Sequence, residues 1–191
     1  LLVQSKTVAD EQACLALEPL LEQLIVLSRR PLRNPVTLMA AVLAPYPLLA
    51  SINGLNSTLR STFRKLLEET WDVIQIEHSY SFQPYERELR NAGVPFIITE
   101  HNVESALGAA TYDRLPSWLW PLIRFDQWRY RRWERRVMSQ AARVIAVTEE
   151  DAQILAPLSG RPTTVVVNGV DCAYYAKVIP DTAANRLLFI G

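Results

Sequence analysis

Histidine and cysteine are scarce in this sequence, with two of each among 191 residues. Cys14 and Cys172 stand far apart and make neither a redox pair nor a zinc spacing, so they read as reduced thiols packed as small apolar groups. Net charge is missing too. Twenty basic residues balance twenty acidic ones, which leaves nucleic acid without an electrostatic footprint. Long apolar runs are also missing: "TLMAAVLAPYPLLASI" (37–52) and "LPSWLWPLI" (115–123) are broken by proline and fall short of the roughly 20 residues a membrane span needs. No basic start leads into an apolar core with a small-residue cleavage site, so no secretory signal is read and a cytoplasmic protein is expected. GxGxxG, P-loop and GxSxG are absent, which removes the commonest nucleotide-binding and hydrolase motifs.

What the chain does have is alternation. Short aliphatic runs recur at 1–5 ("LLVQS"), 23–28 ("QLIVLS"), 72–77 ("DVIQIE"), 95–100 ("PFIITE"), 143–148 ("RVIAVT") and 163–168 ("TTVVVN"), most of them apolar enough for strands buried on both faces. Helical spacing fills the gaps. Residues 8–21 carry apolar side chains at helical intervals, 57–70 put Leu59, Phe63 and Leu67 on one face, and 83–92 close at Gly93. Strand alternating with helix predicts an α/β, Rossmann-like parallel sheet with helices on both faces. A last strand, "RLLFIG" (186–191), follows a polar stretch.

Both histidines close a strand in the same phrase, "VIQIEHSY" (73–80) and "FIITEHNV" (96–103). Ligands of parallel sheets gather at the carboxyl ends of strands, which is where His78 and His101 fall. If the two strands are neighbours, the histidines share one crevice. His101 and Glu104 make an HxxE spacing, but a strand end running into a helix start does not set them on one helical turn, and a zinc or iron site needs more nitrogen or sulfur ligands. Hydrogen bonding to an oxyanion or phosphate suits an imidazole better, although a packed histidine bonded to backbone explains the position equally. Asn102 reads first as the cap of a helix from Val103, and Thr148 as the cap of one from Glu149.

Charge is distributed unevenly. Residues 71–120 hold three Arg against seven acids, while 121–143 hold seven Arg against two. On a helix Tyr130, Trp133, Val137 and Ala141 share one face, and Arg124, Trp128, Arg131 and Arg135 another. The Arg face reads as a solvated surface. The sharper alternative is contact with an anionic membrane surface through Arg124, Arg131 and Arg135, which would make the protein peripheral to the membrane.

In series, "WDVIQIEHSY", "GVPFIITEHNVES", "WERRVMSQAARVIAVTEEDAQIL", "VVVNGVDCAYY" and "LLFIG" resemble the amino-terminal half of family 4 glycosyltransferases of the GT-B fold, over 71–191. Arg143 and Thr148 stand where that family usually has Asp and Ser, and "NGVD" (168–171) is similar to the phrase that closes its first domain. The resemblance implies an acceptor-side domain over 1–170, its usual first strand and glycine-rich loop missing, and over 171–191 a linker with the first strand of a donor-binding domain. It implies transfer of a sugar from a nucleotide-sugar donor to a saccharide or lipid-linked acceptor, with retention at the anomeric carbon and no cofactor or essential metal. Polysaccharide or glycolipid synthesis is the expected setting. His101 takes the place of the family's catalytic histidine. His78, Ser79, Glu100, Asn102, Thr148, Asn168 and Gly169 are the substrate-binding candidates. Residues 1–191 alone are expected to transfer little sugar. A nucleotide-sugar epimerase of the same fold, or a stand-alone binding domain without chemistry, are the alternatives.

Overall fold

Aliphatic runs form the strands, and neighbouring residues set their ends. The computed structural model describes residues 1–5, 7–29, 34–106 and 116–177, without the side chains of 8–10, 174 and 175. The strands are β1 (Leu2–Ser5), β2 (Ile25–Ser28), β3 (Ile74–Glu77), β4 (Phe96–Glu100), β5 (Arg143–Ala146) and β6 (Thr163–Val165). The six strands expected up to residue 168 are present, each shorter than its apolar run. β4 begins behind Pro95, which has no N–H to give a ladder. β5 stops short of Thr148, whose side chain caps the next helix. The expected strand "RLLFIG" lies outside the described residues.

Between the strands run α1 (Val8–Leu15), α2 (Pro35–Leu43), α3 (Leu48–Gly54), α4 (Ser57–Leu66), α5 (Glu86–Ala92), α6 (Trp120–Gln140), α7 (Glu149–Ser159) and the single turn α8 (Cys172–Tyr175). Capping explains several of the boundaries. The Asn34 side chain accepts from the amides of Val36 and Thr37, and Asn56 from that of Leu59. Gly93 and Gly160 end α5 and α7 in the left-handed conformation, at φ 65° and 64°. The helix expected over 8–21 is broken: α1 stops at Leu15, and Glu18–Leu20 form a 3₁₀ turn around Pro19. Proline cannot supply the amide a continuing α-helix requires.

All pairing is parallel, but among the described residues the strands form two sheets, β1 beside β2 and the order β3-β4-β5-β6. Burial on both faces holds for β4, flanked by β3 and β5, where Phe96, Ile98, Thr99 and Glu100 are all buried. It fails for β2, β3 and β6. Ser28, Gln75, Glu77 and Thr164 are exposed, because β6 is an edge and a cleft separates β3 from β1. The main core lies between the four-stranded sheet and α6: Ile76, Ile98, Val144 and Ala146 meet Trp133, Val137, Met138 and Ala141, with Phe82 and Leu155 completing it. Complete burial of side chains this size contributes roughly 1.5–3 kcal/mol each.

Candidate functional site at the carboxyl ends of β3 and β4

The register of β3 on β4 settles how the two Glu-His phrases meet. Glu77 pairs with Thr99, and the amide of His78 donates to the Thr99 carbonyl at 2.8 Å. The phrases therefore exchange partners across the strands. His101 Nε2 lies 2.9 Å from Glu77 Oε2, and His78 Nδ1 lies 3.8 Å from Glu100 Oε2. The imidazoles face each other with centroids 4.8 Å apart, and Tyr80 stacks on the other side of His78 at 4.6 Å. Glu77 is held twice, by His101 at Oε2 and by Gln75 Nε2, which donates to its Oε1 at 2.6 Å and also to Thr99 Oγ1 at 3.1 Å. A carboxylate can only accept, so His101 Nε2 is the donor in this contact. His101 and Glu77 are 38% and 50% exposed at the side chain, open enough for a substrate to reach.

His78 sits in a backbone conformation that a non-glycine residue avoids, at φ 65° and ψ 134°. Such a geometry costs on the order of 1–3 kcal/mol and persists only where the surroundings impose it. Here Ser79 is fixed from two sides. Its amide donates to Glu100 Oε1 at 2.7 Å, and its carbonyl accepts from Trp133 Nε1 at 2.8 Å. Ser79 and Glu100 are fully buried, so both support the crevice from beneath. Glu134, also fully buried, accepts the Ser105 amide at 3.0 Å and holds the turn that follows His101.

Acidic groups cluster under the histidines. Burial, with smaller contributions from Glu100 and Glu104, pushes the Glu134 carboxyl up to about 7. Glu104 is raised by burial and then by Glu100, with His78 opposing, and Tyr80 is raised by burial and the same two carboxylates. Tyr130 is raised chiefly by burial, and its hydroxyl has no hydrogen-bond partner among the described residues. Glu134 titrates higher folded than unfolded, so the stability linked to its protonation is complete below about pH 4.5 and is lost as pH rises towards 7. Glu134→Gln keeps an oxygen for the Ser105 amide and carries no charge. It should melt like the parent chain at pH 5 and higher than it at pH 8, by an amount worth about 1–3 kcal/mol, as thermal denaturation at the two pH values will show.

A cleft of about 1020 Å³ opens beside the site, between β1 and β3. Arg29, Asn53, Glu77 and Tyr80 line it at the strands' carboxyl ends. The Nε and Nη2 of Arg29 are buried there, with no hydrogen-bond partner among the described residues. A second hollow, of about 460 Å³, lies by Gly93–Phe96 and Gln140–Ala142, at the opposite ends of β4 and β5. Among the described residues, no group of three or more His, Cys, Asp or Glu is arranged to hold a metal ion.

The remaining expected site residues lie along the same edge. Asn102 is exposed next to His101, and helical residues begin at Glu104, one later than the spacing suggests. Thr148 follows β5, and its hydroxyl is engaged in capping: Oγ1 accepts the Asp151 amide at 3.1 Å and donates to Asp151 Oδ2 at 2.7 Å. Asn168 and Gly169 are exposed beyond β6, one strand further from His101. Sequence reasoning passed over Glu77, Gln75, Tyr80, Arg29 and Glu134. The repeated Glu-His phrase was a signal for Glu77, because two parallel strands with matched ends set each glutamate near the other's histidine.

Comparison with known proteins accords with this architecture. No curated protein matches the chain. The family model for the glycosyl transferase 4-like domain matches it over residues 20–170, which takes in β2 to β6 and every residue of the histidine site. By that match and by its parallel α/β fold, the chain belongs to the family 4 glycosyltransferases, as their amino-terminal domain.

Proposed function

We propose that this domain forms the acceptor side of an enzyme that transfers a sugar from a nucleotide-sugar donor to a saccharide or lipid-linked acceptor, with retention of anomeric configuration. The observation that carries the reading is the exchanged Glu-His pairing, which sets two imidazoles and a half-exposed carboxylate at one sheet mouth. His101 contacts the transferred sugar or the acceptor hydroxyl, and Glu77 is the positioning residue that fixes its ring. The sugar develops positive charge and the departing diphosphate negative charge, so fixed hydrogen-bonding groups lower the barrier where they meet those charges. Arg29 lines the cleft, two of its guanidinium nitrogens have no hydrogen-bond partner among the described residues, and it is the cation we assign to the diphosphate.

On this reading residues 1–170 form the acceptor-side domain, 171–191 lead towards the donor-binding half, and the 191-residue chain by itself transfers little sugar. Proton NMR of the product made by the active enzyme tests the chemistry. A product anomeric coupling matching that of the donor supports retaining transfer, and an inverted product overturns it.

A further inference from the structure

α2 is an apolar helix turned outward. Val36, Met39 and Leu43 are 74%, 65% and 78% exposed, while its buried positions are the small Thr37 and Ala41. α2 and α3 together have the length and apolarity of a broken membrane span, bent by 118°. Yet α3 belongs to the protein interior: Ala50, Ser51, Ile52 and Asn53 are buried, and Asn53 Nδ2 donates to the Tyr80 carbonyl at 3.1 Å. Only α2 is left with an uncovered apolar face. Among the described residues, no single helix is long and apolar enough to cross a membrane.

Residues 122–135 of α6 continue this surface. Arg129 Nη1 donates to the carbonyls of Val42 and Ala44 at 3.3 and 2.8 Å, and Asp126 Oδ1 accepts the Leu48 amide at 3.0 Å, which locks α6 to the end of α2. Phe125 lies 5.2 Å from the Arg129 guanidinium and stacks on Trp128 at 5.8 Å. Leu122, Phe125 and Trp128 are 61%, 53% and 54% exposed. Beside them Arg124, Arg131, Arg132 and Arg135 are exposed, and Arg132 packs over Trp128 at 4.9 Å. The acids of α6 do not offset these charges, because Asp126 is occupied by Arg129 and Glu134 is fully buried.

We infer that α2 and residues 122–135 of α6 form one docking surface for an anionic lipid bilayer, the aliphatic and aromatic side chains entering the headgroup boundary and the arginines meeting acidic headgroups. Tryptophan and phenylalanine on an apolar face flanked by an arginine face without opposing acids is the composition of a helix lying in that boundary. The surface lies close to the histidine site along the same helix. Trp128 is five residues before Trp133, about 8 Å along the helix axis, and Trp133 holds the loop of His78. The inference stands apart from sugar transfer, since vesicle binding is read without any donor.

The test is co-sedimentation of the chain with vesicles of phosphatidylcholine alone and of phosphatidylcholine with phosphatidylglycerol, at low and high salt. The chain should pellet with the phosphatidylglycerol vesicles at low salt and be released at high salt. Arg131→Gln with Arg135→Gln should weaken binding roughly fivefold per arginine, and Met39→Ser with Phe125→Ser should weaken it at every salt concentration. All four substitutions are at exposed positions, so unchanged melting temperatures will accompany these losses. Indifference to phosphatidylglycerol, undiminished binding by either double variant, or pelleting by self-association without vesicles would overturn the inference.

Discussion

His101→Ala in the catalytically active protein lowers kcat/KM by about a hundred- to a thousandfold while the melting temperature stays near that of the parent. The side chain is half-buried at the sheet mouth, and its one assigned hydrogen bond goes to an exposed carboxylate. Exposed pairs of this kind are worth little to folding. On the proposed reading the cost falls on the reaction, where a fixed donor or acceptor acts on charge that develops only in the transition state. Steady-state kinetics with saturating donor, set beside a thermal melt, separates the two effects. Unchanged turnover removes His101 from the reacting centre.

Trp133→Ala should be the most damaging substitution for the fold, destabilising it by about 3–5 kcal/mol against a total of about 5–15 kcal/mol for domains generally. Trp133 is 3% exposed. Its ring meets Tyr46 edge-on at 5.1 Å and Phe82 at 6.1 Å, and its Nε1 is the donor to the Ser79 carbonyl. Trp133→Phe keeps most of the apolar contact but leaves that buried carbonyl unpaired, which costs about 1–3 kcal/mol. The smaller change also reaches the site. Ser79 is the residue after His78, whose positive φ survives only under constraint. Urea denaturation of both variants gives the order expected, alanine worse than phenylalanine and both below the parent. A phenylalanine variant as stable as the parent would show that the Trp133–Ser79 bond constrains nothing.

The alternation of strand and helix was legible because period and composition are local properties, as in "PFIITE" and in the capped helix at Thr148. The two-sheet division was not, since nothing inside "LLVQS" or "DVIQIE" says that β1 and β3 stand apart with a cleft between them. His78 and His101 could be placed at strand ends, but their exchanged partners depend on the β3–β4 register, which is a relation between segments. Glu134 is a case of a different kind. Within a run of arginines it reads as one more surface charge, and only the packing of α6 turns it inward to the Ser105 amide. The run at 37–52 reads only as proline-broken and too short for a membrane span. In the fold its first half is an exposed helix and its second half is buried.

Family membership rests on a match that spans residues 20–170, and the site geometry adds what that match does not describe, the holding of His101 by Glu77. A double-mutant cycle on kcat/KM in the active enzyme, with Glu77→Ala, His101→Ala and the pair together, measures that relation directly. If Glu77 acts through His101, the double variant is no slower than His101→Ala alone, and the coupling amounts to at least about 1 kcal/mol. If the two losses multiply, Glu77 and His101 act independently and the exchanged Glu-His pairing is not what organises the site.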